Sequence, residues 1–188
     1  MRLTALAMLA GAALAVMTAP AEAAWNSYVS HSLGFSVEMP GTVKSEVNIY
    51  GGEFSGPQET IVFRSVDGNI KYEVTVFNYI QAKAYGATLL GEVEFDFQNR
   101  KKLLMDTFAR IESGKDWVYG RKITIDLPNN GGRSTGAFYF NKGYLYWLQA
   151  TVPANGDYAT PDIGRFIDSL GFVLSGTQEG ATELQLPN

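Results

Sequence analysis

The sequence predicts an α+β protein, a single antiparallel sheet of about six or seven strands flanked by one long and one short helix. Alternating or β-branched runs recur between turn signals, as at Phe35 to Met39, Thr60 to Val66, Ile70 to Asn78 and Tyr144 to Val152. The apolar period lengthens to about 3.6 residues in two places, within Glu92 to Glu112 and from Pro161 to Leu170. Between them these patterns account for most of the chain and leave no internal repeat.

The first residues, "MRLTALAMLAGAALAVMTAPAEAAW", carry one cation at Arg2, an apolar run from Leu3 to Met17, and the small-residue site Ala21-Glu22-Ala23. That is the grammar of a secretory signal, and the run is too short for a comfortable bilayer crossing. Cleavage is expected after Ala23. Removing the first 23 of 188 residues leaves 165, enough for one domain with its own core. The expected organisation is a signal at 1–23, one domain over 24–174, and a polar, disordered tail at 175–188. The mature protein is expected in the periplasm, exported and soluble, with no membrane insertion.

The chain contains no cysteine, so it forms no disulfide, builds no thiolate metal site, and rests its stability on packing. The signal holds one Arg and one Glu, which leaves the net charge at −4 after cleavage. Arg100-Lys101-Lys102 is the only basic triplet, so nucleic acid is not an expected partner. No cofactor and no metal are expected.

Taken in order, "WNSYVSHSLGFSVEMPG" reads as a hairpin with Phe35, Val37 and Met39 facing the core. Val43 to Tyr50 is a weaker strand, followed by the loop "GGEFSGPQ". Thr60 to Val66 and Ile70 to Asn78 pair across Asp67-Gly68-Asn69, a turn sequence suited to positive φ. Val93, Phe97, Leu104, Phe108 and Ile111 fall in one helical stripe, with Gly114 as its stop. Trp117 to Asp126 is a strand and "LPNNGG" a mobile loop, and Arg133 to Phe140 pairs with Tyr144 to Val152 around "NKG". Thr160 as N-cap, Pro161 at the first helical position and Asp162 near the positive dipole end open the short helix, whose buried face is Ile163, Phe166, Ile167 and Leu170.

The stretch "GEVEFDFQNRKK" asks for a decision. As a strand it would align Glu92, Glu94 and Asp96 on one face about 7 Å apart, in reach of a hard cation. As a helix it makes only Glu92 and Asp96 neighbours, puts Asp96 and Arg100 in an i,i+4 pair, and lets the basic triplet complement the macrodipole. The helix accounts for more of the residues, while Phe95, which points off the stripe, is the one that a strand or a later helix start would accommodate.

His31 beside Ser32 invites a nucleophile-and-base reading, but no third orienting group and no G-x-S-x-G elbow accompany them. A hydrolase is therefore the weakest of the functional readings. The pairs Gly51-Gly52 and Gly131-Gly132 lack the Lys and Ser/Thr of a phosphate loop, and "NGDYATPD" lacks calcium-loop spacing. The aromatic hairpin "GAFYFNKGYLYWLQA" is more distinctive. With a type I turn at Asn141-Lys142 and a bulge at Gly143, Phe138, Phe140, Tyr144, Tyr146 and Leu148 share the core face, and Tyr139 and Trp147 share the other. That second face is either an aromatic platform or a surface covered by a helix. As a platform, Tyr139 and Trp147, with Asn129 and Asn130 in the neighbouring loop, form the expected interaction surface.

Phe35-Ser36-Val37 ahead of Pro40-Gly41, Gly120-Arg121 opening a strand, Gly143-x-Leu145-Tyr146, and Arg165-Phe166-Ile167-Asp168-Ser169-Leu170 near the end make the chain resemble the PsbP-like α/β sandwich class over nearly all of its mature length. The resemblance implies an antiparallel sheet flanked by helices and a mostly non-enzymatic role, such as that of the extrinsic lumenal photosystem II subunit that helps an enzyme complex retain its ions. No ion-binding residue carries over position by position. The expectation is thus a non-catalytic periplasmic accessory protein that docks onto another envelope protein. The competing reading is a binder of a small lipid or sugar, with an apolar pocket between helix and sheet.

Overall fold

The computed structural model describes residues 23–99, 101–173 and 180–187. The expected signal, up to residue 22, and Arg100, the expected partner of Asp96, lie outside them. The first hairpin forms as the alternation requires: β1 (Trp25–Ser30) pairs antiparallel with β2 (Phe35–Pro40), and Phe35, Val37 and Met39 are buried. The next strands are β3 (Lys44–Gly52), β4 (Gly56–Asp67) and β5 (Ile70–Asn78). Asp67 pairs with Ile70, so the β4–β5 turn is the two residues Gly68-Asn69, with Gly68 at φ 55°.

A 3₁₀ turn (Ile80–Tyr85) leads into helix α1 (Gly86–Gln98). The stretch from Glu92 to Phe97 is therefore helical, and Phe95, the misfit, points to solvent. Leu89, Val93 and Phe97 are the buried stripe. Lys101 Nζ donates to the carbonyls of Asp96 (3.3 Å) and Phe97 (2.6 Å), the cationic end-cap that the macrodipole favours.

The long helix expected as far as Glu112 is corrected here. Beyond Asn99 the chain turns into strand β6 (Lys102–Ser113), which pairs antiparallel with β7 (Asp116–Asp126). Leu104, Phe108 and Ile111 keep the i, i+4, i+7 spacing of a helix, yet strand pairing on both sides of an irregularity at Leu104 overrides it. Gly114 does not stop a helix but turns the β6–β7 hairpin at φ 69°. Asn99, just past the last helical turn, and the Gly114-Lys115 pair between two apolar runs are the sequence signals that mark this boundary and this hairpin.

A second 3₁₀ turn (Pro128–Asn130) precedes β8 (Arg133–Asn141) and β9 (Tyr144–Val152), followed by α2 (Pro161–Asp168), β10 (Gly171–Phe172) and β11 (Thr182–Glu183). The loop from Leu127 to Gly132, expected to be mobile, is closed by the Leu127 N–H donating to the Gly132 carbonyl (2.8 Å). α2 has the predicted cap, Thr160 Oγ1 accepting from the Asp162 N–H, and buries Phe166 and Ile167, with Leu170 just beyond its end.

The expected single sheet is two among the described residues. A seven-stranded sheet runs β3-β4-β5-β9-β8-β7-β6, and a four-stranded sheet runs β10-β2-β1-β11. The last pair is parallel: Thr182 and Glu183 lie beside Tyr28 and Val29, and Leu184 is buried. Within the tail expected to be disordered, Thr182 to Leu184 thus pack against β1. The small sheet and α2 cover one face of the large sheet, burying Phe35, Val37, Met39 and Phe166 against Phe63, Tyr72, Tyr139 and Tyr146. α1 covers part of the other face, where Val93 and Phe97 meet Ile123, Ile125, Phe138 and Leu145. Pairing of β2 with β10 and of β1 with β11, both from the far end of the chain, is non-local, which local periodicity does not encode.

Candidate interaction surface

The expected aromatic platform is taken apart by one turn. Asn141 pairs directly with Tyr144, leaving Lys142-Gly143 as a two-residue loop with φ of 51° and 92°, the type I′ geometry that matches strand twist. The expected three-residue loop had one residue more, and a slip of one residue exchanges the faces of β9. Phe138, Phe140, Leu145 and Trp147 therefore face α1, while Tyr139, Tyr146 and Leu148 face the small sheet.

Tyr139 is 2% exposed, and its burial, with the Asp168 charge, pushes its hydroxyl up to about 12. Trp147 is half-buried on the opposite face, its ring 5.8 Å from Phe97 and 5.6 Å from Phe138. Asn129 and Asn130 are exposed and hold positive φ in the β7–β8 turn. Tyr139 lies six residues along β8 from Arg133, about 20 Å at strand rise. The four residues are not brought together.

A different aromatic face is assembled at the far edge of the large sheet. β6 is its outermost strand, and the register puts Phe108 opposite Arg121, Arg110 opposite Tyr119, and Glu112 opposite Trp117. Directly opposed residues share a face, and this face is the one that α1 covers further along, over Ile123 and Ile125. The helix does not reach the other end. Phe108 is left 85% exposed and Tyr119 66%, with Trp117 also open. The arginines lie on these rings, Arg110 at 4.4 Å from the Trp117 centroid and Arg121 at 4.7 Å from that of Phe108. Arg121 also pairs with Asp106 (2.7 Å), whereas no carboxylate pairs with Arg110 among the described residues. Leu103, Leu104 and Met105 extend the exposed apolar surface along β6.

Glu94 borders this face from α1. Burial raises its carboxyl to about 7, against the pull of Arg121 and with the help of Asp106, and its Oε1 is buried without a hydrogen-bond partner among the described residues. The folded value lies above the ordinary 4.5, so folding takes up a proton between the two. Glu94 thus costs nothing below the ordinary value and progressively more as pH rises through about 7. Glu94→Gln, which mimics the protonated acid, is expected to raise the urea midpoint relative to the native chain above that pH and to leave it unchanged in acid. Equal midpoint differences at both ends would show that Glu94 is ordinarily solvated.

His31 gains a partner that sequence alone leaves unassigned. Its Nδ1 lies 2.5 Å from Glu183 Oε2, and its N–H donates to Oε1 of the same side chain (3.1 Å). Ser32 Oγ instead lies against Ser30 Oγ (3.3 Å), so the contact fastens β11 to the β1–β2 turn and activates no hydroxyl. Glu92 and Asp96 do not form a cage either. Glu92 Oε1 accepts the N–H groups of Phe54 (2.7 Å) and Ser55 (3.3 Å), and Asp96 accepts from the Tyr50 hydroxyl.

No family model and no curated protein matches this chain. Among solved structures, the chain is similar to the solution structure of cyanobacterial PsbP (CyanoP) from Synechocystis sp. PCC 6803, at 13% identity over 87% of this chain and 98% of that one, with a TM-score of 0.50. At that identity the likeness is one of fold. The chain has a PsbP-like α/β fold, as its packing motifs suggest, built with two sheets instead of one. Among the described residues, no helix is long and apolar enough to cross a membrane.

Proposed function

We propose that this chain is a non-catalytic accessory protein of the bacterial envelope, exported to the periplasm, that docks onto another protein through the outer β6–β7 face. The observation that carries the reading is the open aromatic row of Phe108, Tyr119 and Trp117 beside a twelve-residue edge strand. Long edges carrying exposed apolar side chains are normally blunted or covered. The partner fitted to it is an envelope protein that presents an extended, acidic segment. The outer edge of β6 offers backbone groups for strand addition, and Arg110, stacked on Trp117, offers a cation to a carboxylate. The single histidine and the lack of cysteine suit a docking role better than a chemical one.

A photo-crosslinking residue in place of Phe108, compared with one in place of Val47 on the opposite edge strand β3, tests this in an envelope extract. Position 108 is expected to give a defined adduct whose linked peptide is acid-rich, and position 47 none. Phe108→Ala and Arg110→Ala are expected to weaken binding of that peptide by about 30-fold or more, equivalent to about 2 kcal/mol. Both side chains are on the surface, so the unfolding midpoint should hold steady. Equal adducts from both positions, or a linked peptide without acidic residues, would overturn the proposal.

A further inference from the structure

A cleft of about 530 Å³ opens at the other side of the large sheet, between the β3–β4 loop, the end of β5, the 3₁₀ turn before α1, and the start of α1. Its volume lies in the range of small-molecule sites, about 300–1,000 Å³. Among the described residues its lining has no charged side chain: three aromatics, Phe54, Tyr79 and Tyr85, and three amides, Gln58, Asn78 and Gln81, dominate it. Two of the rings are held out in solvent, Phe54 79% exposed and Tyr85 68%.

The loop that carries Phe54 is fastened from below. The buried Glu92 carboxylate takes the N–H groups of Phe54 and Ser55, and the Tyr79 hydroxyl donates to Ser55 Oγ (3.4 Å). Gly52 makes this approach possible, since a Cβ there would lie 2.5 Å from Glu92 Oε1. The amides are part-used in complementary senses. Asn78 Oδ1 accepts the Ile80 N–H (3.2 Å), which leaves its amino group to donate. Gln58 Nε2 donates to the Ser55 carbonyl (3.0 Å), which leaves its oxygen to accept.

We infer that this cleft binds a neutral oligosaccharide. Sugar hydroxyls donate and accept at once, as the amides around the cleft do, and the apolar C–H faces of sugar rings cover exposed aromatic rings and remove their surface from water. An anionic headgroup or phosphate would find no cation among the described lining residues, and an acyl chain would meet hydrogen-bonding groups that it cannot satisfy. The site lies on the β3–β5 side of the sheet, away from the β6 edge, so it stands independently of the docking proposal.

The test is titration of the isotope-labelled protein, from residue 24 onward, with maltotetraose, cellotetraose and chitotetraose, and in parallel with oleate, followed by amide chemical shifts. At least one tetrasaccharide is expected to give saturable shifts at residues 54–58 and 78–89 at millimolar concentration. Phe54→Ala and Tyr85→Ala are each expected to weaken binding about tenfold, with an unchanged unfolding midpoint, while Phe108→Ala leaves binding intact. The inference is overturned if none of the three sugars saturates, if the shifts lie elsewhere, if the two aromatic variants bind as the native chain does, or if oleate alone occupies the cleft.

Discussion

Phe35→Ala is expected to cost about 3–5 kcal/mol of unfolding free energy and to lower the urea midpoint accordingly. Phe35 belongs to the small sheet and is fully buried, yet its ring partners are in the large one, Phe63 at 5.8 Å and Tyr146 at 5.7 Å between centroids. Tyr146 is itself tied back to the β1–β2 turn by donating to the Leu33 carbonyl (2.7 Å). Truncation would open a cavity between the two layers at the point where they are cross-linked, so little collapse can refill it. Phe35→Leu, which keeps most of the volume, should lose a much smaller part. A loss below about 1 kcal/mol for the alanine variant, no more than a typical point substitution costs, would mean that the two sheets do not pack through this ring.

Trp147→Ala should have an effect of similar size, about 3–5 kcal/mol, on the opposite side of the large sheet. The indole fills the angle between Phe97 of α1 and Phe138 of β8, so its removal opens a cavity beside the contact between helix and sheet. Trp147→Phe should be much milder. It keeps aromatic packing and deletes a buried Nε1 donor that has no hydrogen-bond partner among the described residues. Urea unfolding of both variants, set beside binding of the partner peptide by the folded fraction, separates packing from docking. Lost binding with unchanged stability in Trp147→Ala would restore Trp147 as a contact residue and contradict its place under α1.

The different outcomes for Phe108 and Trp147 show where local pattern stops being informative. Alternation of apolar with polar side chains identifies a strand, as in β2 and β5, and these are legible in the sequence. β6 is exposed on every residue from Lys102 to Phe108 and alternates exposed with half-buried or buried residues only from there to Ser113, so burial imposes a period of two on its second half alone. Its Leu, Met, Ala, Arg and Glu residues suit a helix equally well. The same lack of burial that hides the strand from a sequence reading makes it the candidate docking edge. Tyr139 and Trp147, conversely, are distinctive in sequence because they are aromatic, and the structure uses them as core.

The sequence by itself determined the hairpins at Phe35, at Gly68 and around Lys142, the short capped helix at Pro161, and the likeness in packing motifs, because each depends on residues within a few positions of one another. Tertiary structure alone decided that β2 leaves the main sheet for a second one with β10, β1 and β11, and that the chain end returns to lie beside Tyr28. It also decided which face of β9 meets the helix, a matter of one residue in the Lys142-Gly143 turn, and which aromatics stay in water. Periodicity records that one side of a segment is buried. What buries it, and what is left uncovered, is settled by pairing between residues far apart in the chain, where loop-closure entropy and mutual packing decide the partner.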